Sequence, residues 1–171
     1  MSVGIIGGSG LTDWPGLEPL YPVPPETPYG LPSAAPCGGS AEGTSVVFLA
    51  RHGHPHALAP HRVNYRANLY ALREAGVRCV VAIATVGGIR GGLEAGDLVL
   101  PDQILDYTHG RAASYFDGVD GPLKHIEFTD PYDAGVRDAL RTGARAAGVA
   151  LAEPATYAAT QGPRLETAAE I

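Results

Sequence analysis

A chain of 171 residues with 45% hydrophobic and 18% charged side chains can bury a sizeable core and is composed as globular proteins are. Its 12 basic and 18 acidic side chains give a formal net charge of −6, which argues against nucleic acid or an anionic membrane as partner, since both call for a basic face. Cys37 and Cys79 stand far apart, a spacing that suggests neither a metal ribbon nor a disulfide framework.

The N-terminus enters strand-like sequence without a basic leader or a long apolar stretch, so a cytoplasmic protein is expected. Ser2-Val3-Gly4-Ile5-Ile6 reads as a buried strand that stops at Gly7-Gly8-Ser9-Gly10. Backbone N–H groups and the Ser9 hydroxyl in such a turn suit a phosphate; a plain glycine turn ending a strand accounts for the stretch equally well. It is not the dinucleotide fingerprint, because Leu11, Thr12 and Asp13 follow Gly10 and the third glycine is absent. Residues 13–44 contain Pro22, Pro24, Pro25, Pro28, Pro32 and Pro36, so short edge strands and turns are expected there, with Pro28-Tyr29-Gly30 as a hairpin corner.

Ser45-Val46-Val47-Phe48-Leu49 reads as a second buried strand, opening into Ala50-Arg51-His52-Gly53-His54-Pro55-His56. In α/β proteins ligands are met where strands end, and a guanidinium beside a histidine suits an anion. A structural ion pair is the competing role for Arg51. His52, His54 and His56 alternate, as metal ligands on an extended strand would. Gly53 and Pro55 break that regularity and no matching His/Asp cluster follows, so no metal is expected. The plain alternative for His54, His56 and His61 is a set of locally hydrogen-bonded loop residues, and it is preferred for His54.

Residues 64–75 read as a helix capped by Asn64, with Tyr65, Leu69 and Leu72 on one face and Gly76 ending it. A β-branched strand at 77–83, with Cys79 buried in it, breaks into Ala84-Thr85-Val86-Gly87-Gly88, a second glycine turn beside a hydroxyl. Helix between two apolar strands is the βαβ signature and predicts a parallel sheet. A further strand is expected at 98–101, a long mobile loop at 106–124, and ordered chain again at 125–131. Asp133 is expected to cap a helix running to about 147, with Val136, Leu140 and Ala144 on one face. A strand at 155–160 follows, then Gln161-Gly162-Pro163-Arg164-Leu165-Glu166-Thr167 as a strand-to-helix turn.

Gly4-Ile5-Ile6-Gly7-Gly8-Ser9-Gly10-Leu11, Ala50-Arg51-His52-Gly53, Val63-Asn64-Tyr65-Arg66-Ala67-Asn68, Val86-Gly87-Gly88 and Gly162-Pro163-Arg164 stand in order and at fitting separations. Together they resemble the trimeric purine nucleoside phosphorylases, in particular the methylthioadenosine/methylthioinosine phosphorylase branch, over nearly the whole chain. The resemblance implies an α/β fold, a mixed, largely parallel twisted sheet flanked by helices, in a single domain spanning 1–171 and incomplete at its C-terminal part. It implies phosphorolysis of S-methyl-5′-thioinosine, a 6-oxopurine nucleoside, to hypoxanthine and 5-methylthioribose 1-phosphate, with S-methyl-5′-thioadenosine as the alternative substrate.

Carried over by position, the resemblance implies a phosphate site of Ser9, Arg51, His52, Ala84 and Thr85. Leu165 and Glu166 fall where the family lines its nucleoside pocket, and His125 resembles a residue that reaches a neighbouring subunit's 5′-substituent pocket. A structural histidine and a first-turn helix acid are the alternatives for His125 and Glu166. Inorganic phosphate would be a co-substrate with no cofactor, the partners would be nucleoside and phosphate alone, and the assembly a homotrimer or a dimer of trimers. The chain departs from the pattern at Ala84, where the family often has Thr, and Thr85 follows one residue later. A later segment of the family carries a Met at the ribose and an Asp or Asn at the base. The leaving-group acid is therefore expected beyond residue 171, and the chain is read as a fragment of a longer enzyme. A metal-dependent hydrolase and a non-catalytic nucleoside- or phosphate-binding module are the competing readings from other classes.

Overall fold

A computed structural model describes residues 2–21, 23–119 and 121–171; Pro22 of the proline-rich stretch lies outside them. The chain forms β1 (Ser2–Gly7), β2 (Glu18–Pro19), β3 (Cys37–Ala41), β4 (Thr44–Ala50), α1 (Tyr65–Glu74), β5 (Val77–Ala82), β6 (Leu98–Val99), β7 (Gln103–Asp106), α2 (Ala134–Ala146), β8 (Leu151–Ala152) and β9 (Thr156–Ala159). The main sheet has the order β2-β3-β4-β1-β5, and β6-β8 and β7-β9 form two further parallel pairs. β1 pairs in parallel with β4 on one side and β5 on the other, while β2 and β3 add antiparallel. The expected mixed, largely parallel α/β architecture is present.

β4 and β1 are apolar because both faces of a central parallel strand are covered. Val46, Val47, Phe48, Leu49 and Ala50 are all buried. Ile6, Val47, Leu49, Leu72 and Val77 form one cluster, in which Leu49 and Leu72 are fully buried; each such side chain contributes roughly 1.5–3 kcal/mol by leaving water. Trp14 meets Phe48 edge to face at 6.2 Å on this sheet.

α1 begins where expected, with Asn64 Oδ1 accepting from Ala67 N at 3.1 Å. Its buried face differs from the expected one. Ala67, Asn68, Ala71 and Leu72 face the sheet, whereas Leu69 is exposed. Two alanines let the helix approach the strands closely, so small residues define the inner face. Buried Asn68 is satisfied by Ser33, taking its backbone N–H at 2.7 Å and donating to its hydroxyl at 3.0 Å. Asp133 caps α2 by accepting from Val136 N at 2.8 Å. Val136, Leu140 and Ala144 do share its inner stripe, only half-buried, together with Arg137 and Arg141.

Other expectations need correction. Cys79 is half-buried because β5 is the outer strand of the main sheet. Gly87 and Gly88 adopt no positive φ, and residues 84–89 run without a hydrogen-bonded turn. Residues 164–171 hold a turn at 168–170 instead of a helix. β7 and the β3–β4 hairpin were not anticipated individually. The hairpin turns at Glu42 and Gly43, both in left-handed geometry (φ 48° and 75°).

Candidate anion-binding site at the strand ends

β1, β4 and β5 run parallel, so their C-terminal ends lie side by side, with Gly7 opposite Ala50 and Ile6 opposite Ala82. Two backbone bonds carry the alignment one residue further: Arg51 N donates to Gly7 O and Ile83 N to Ile6 O, each at 2.9 Å. Parallel pairing thus delivers the Gly8-Ser9 turn, Arg51-His52 and Ile83-Ala84-Thr85 to one edge, where ligands meet such sheets.

The turn after β1 closes through Leu11 N donating to Gly8 O at 3.0 Å, with Gly10 at φ +83°. Glycine is required at two of its positions. A Cβ on Gly7 would lie 2.0 Å from Leu11 O and 2.7 Å from the Phe48 ring. A Cβ on Gly8 would lie 2.0 Å from the Arg51 Nη2 atom. The guanidinium therefore packs against Gly8, in space that is open because that residue has no side chain.

Arg51 donates from Nη1 to Ile83 O at 3.2 Å and from Nε to His52 Nε2 at 3.4 Å. It forms no ion pair with a carboxylate among the described residues. A half-buried guanidinium held by neutral acceptors keeps its full positive charge for an anion. Among the described residues the ion-pair role for Arg51 finds no partner.

Beside it, His52 is buried and donates from Nδ1 to Leu58 O at 2.7 Å. Its own carbonyl accepts from Ala57 N and Leu58 N, so residues 52–58 close around it. The His56 ring stacks on His52 with centroids 4.4 Å apart and planes 14° from parallel. Stacked rings hold their nitrogens in separate parallel planes and do not aim them at one point. Among the described residues no group of three or more His, Cys, Asp or Glu is placed to hold a metal ion.

Thr85 spans the site: its hydroxyl donates to Ser9 O at 2.9 Å, tying the β5 end to the β1 turn. The hydroxyl proton is thereby committed to a carbonyl, and Ala84 offers only backbone. Ser9, Ala84 and Thr85 are exposed.

The later candidates lie on a second tier. Arg111 donates to Gln161 Oε1 at 2.9 Å, Gln161 O at 2.7 Å and Tyr65 OH at 3.1 Å, while Tyr65 OH donates to Pro60 O at 3.2 Å. A Cβ on Gly162 would touch Pro60 at 3.5 Å. The turn after β9 is thus pinned against the loop that follows Arg51-His52. Glu166 accepts from the Thr160 hydroxyl, which holds its carboxyl below the usual range and keeps it ionised. Leu165 is exposed. His125 is exposed, and no hydrogen bond or ring contact among the described residues joins it to the strand ends. The stretch expected as a mobile loop is fastened: Arg111 holds one part, and Tyr115 donates to Arg66 O at 2.6 Å while its ring meets Tyr29 at 4.9 Å. A lone arginine in a polar loop carries no sequence signal for such a role, so Arg111 escaped the sequence reading.

A family model described as the Phosphorylase superfamily matches residues 2–171. The chain is 46% identical over 167 residues to a protein named probable S-methyl-5′-thioinosine phosphorylase from Pseudomonas syringae pv. tomato, covering 98% of this chain and 68% of that one. It is 41% identical to the 6-oxopurine nucleoside phosphorylase of Pyrococcus furiosus, covering 99% of this chain and 64% of that one. Methylthioadenosine phosphorylase from Schistosoma mansoni in complex with adenine is similar in structure, with a TM-score of 0.89 at 29% identity, over 99% of this chain and 68% of that one.

Proposed function

The chain belongs to the phosphorylase superfamily, and from that premise we propose that it serves the phosphorolysis of purine nucleosides, with S-methyl-5′-thioinosine as substrate. One observation carries the reading: an arginine with no carboxylate partner among the described residues, lodged between the turn after β1 and the segment after β5, which hydrogen-bond to each other. Phosphate is the anion this place suits. It takes charge-assisted bonds from Arg51, and the Ser9 hydroxyl with backbone N–H groups of Ser9 and of the 84–85 segment completes the shell. His52, whose ring nitrogens are both engaged, offers its backbone N–H.

In the reaction a phosphate oxygen forms a bond to C1′ as the C1′–N9 bond breaks, and the electron pair departs on the purine, which takes a proton from solvent water and leaves as the free base. The sugar gains positive character on the way, and a dianion fixed beneath C1′ stabilises it. Arg51 and the turns therefore act by positioning and by charge. Leu165 and Glu166 are assigned to the nucleoside side of the site and His125 to a neighbouring subunit's 5′-pocket. We place the protein in the cytoplasm as a homotrimer or dimer of trimers that uses phosphate as co-substrate and no further cofactor; no helix among the described residues is long and apolar enough to cross a membrane.

The names of the relatives at 46% and 41% identity support the 6-oxopurine choice. S-methyl-5′-thioadenosine is the second reading, supported by the solved relative that holds adenine. Base release from methylthioinosine, methylthioadenosine and inosine, with and without phosphate, tests both. Fastest phosphate-dependent release of hypoxanthine from methylthioinosine, lost in Arg51→Ala, is expected. Adenine release in its place selects the second reading, and release indifferent to phosphate overturns both.

A further inference from the structure

The His52 ring has two neighbours that fix its state. Leu58 O can only accept, so Nδ1 carries the proton. Arg51 Nε can only donate, so Nε2 presents its lone pair. Both neighbours demand the same neutral tautomer, and an imidazolium would set N–H against N–H. We infer that the His52 ring is a positioning residue, which rests on the phosphorolytic reading above: anchored on Leu58, it accepts from Arg51 Nε and so fixes the plane of the guanidinium that receives phosphate. With Nη1 on Ile83 O and Nε on His52, two edges of the fork are set and Nη2, over Gly8, is left for the anion.

The surroundings keep the ring neutral. Burial pushes its pKa below the ordinary 6.5, the Arg51 and His56 charges add to that, and the Leu58 bond opposes it. Arg51, at the end of β4, and His56, in the same loop, are the charged or titratable groups that act on the ring; among the described residues no carboxylate does. A base with a lowered folded-state pKa holds its arrangement at neutral pH and loses it only as pH falls through that lowered value.

Two substitutions separate the ring's halves. His52→Asn keeps a donor near Nδ1 for Leu58 and removes the acceptor for Arg51. His52→Gln keeps an acceptor near Nε2 and gives up the anchor. The expected result is a phosphate KM raised about tenfold in His52→Asn, near the lower end of what one hydrogen bond to a charged group is worth, with the nucleoside KM within about twofold of the parent. His52→Gln should stay within about threefold for phosphate. In an Arg51→Lys background, which lacks the Nε donor, His52→Asn should add nothing. Ring ¹⁵N shifts of the unsubstituted chain should show a protonated Nδ1 and a bare Nε2 at pH 7, a readout independent of whether the variants fold.

A folded His52→Asn with parental phosphate KM, equal losses in both variants, or the opposite tautomer would overturn the inference. Base release by the parent chain that is indifferent to phosphate would defeat the phosphorolytic reading instead. The same variants are then compared by calorimetric titration with inorganic phosphate, and equal affinities there overturn the inference in turn.

Discussion

Gly8→Ala tests the site with the smallest possible change. The added Cβ would sit 2.0 Å from Arg51 Nη2, 3.0 Å from its Cζ and 2.9 Å from Ile83 O. Ordinary contact begins near 3.4 Å, so the guanidinium must retreat by about 1.4 Å, the difference of the two distances. That movement breaks the bonds to Ile83 O and to His52, which measure 3.2 and 3.4 Å already. It also carries Nη2 away from the anion. One charge-assisted bond lost is worth about 1.5–3 kcal/mol, which corresponds to a phosphate affinity weaker by about 10- to 100-fold. Gly8 has no positive φ, so alanine meets no dihedral strain there, and the 2.9 Å approach to Ile83 O demands a small backbone shift that is expected to lower the melting temperature. The assay follows base release against phosphate concentration, with thermal melts alongside. A folded Gly8→Ala protein with unchanged phosphate KM would refute the placement of Arg51 over Gly8.

Other outcomes follow from the same geometry. Thr85→Val removes the hydroxyl that clasps the Ser9 carbonyl; loss of about 1 kcal/mol of loop ordering should raise the phosphate KM roughly fivefold in steady-state assays. Asn64→Ala deletes both the α1 cap and a 2.7 Å bond to Tyr29 O; about 2 kcal/mol is expected, a fall in melting temperature of about 4–8 °C, and a fall under 1 °C would contradict it. Arg164 holds the exposed Glu170 carboxyl down to about 2 from 4.5. Its folded-state pKa is below its unfolded value, so the pairing is intact above pH 4.5 and is lost as pH falls through about 2. NMR titration should find that low midpoint, and Arg164→Gln should return it towards 4.5.

What could be read in the sequence was local and covalent. Short apolar runs rich in β-branched residues marked β1, β4 and β5, and helix caps marked α1 and α2, because a strand packed in a sheet and a capped N-terminus leave direct traces in residue type. The convergence of Gly8-Ser9, Arg51 and Thr85 was inferable for the same reason, since parallel strands must end together. Legibility ended where a contact depends on partners distant in the chain. The run at 77–83 implies a buried Cys79, yet β5 is an outer strand and Cys79 only half-buried, because apolar composition does not say which neighbours a strand has. Leu69 looked like core, yet Ala67 and Ala71 took the inner face through close approach. His52 read as a donor to an anion; only its two fixed neighbours show that the ring accepts from Arg51. Arg111 bridges Tyr65 and Gln161 across the chain, and no pattern announces such a bond.

The central claim is that the anion at the strand ends is the nucleophile. Phosphorus NMR of the full chain turning over methylthioinosine in inorganic phosphate measures this directly. The account predicts a new sugar 1-phosphate signal growing in step with hypoxanthine release, and neither signal nor release when phosphate is omitted. Hypoxanthine appearing with free methylthioribose and no new phosphorus signal would contradict it.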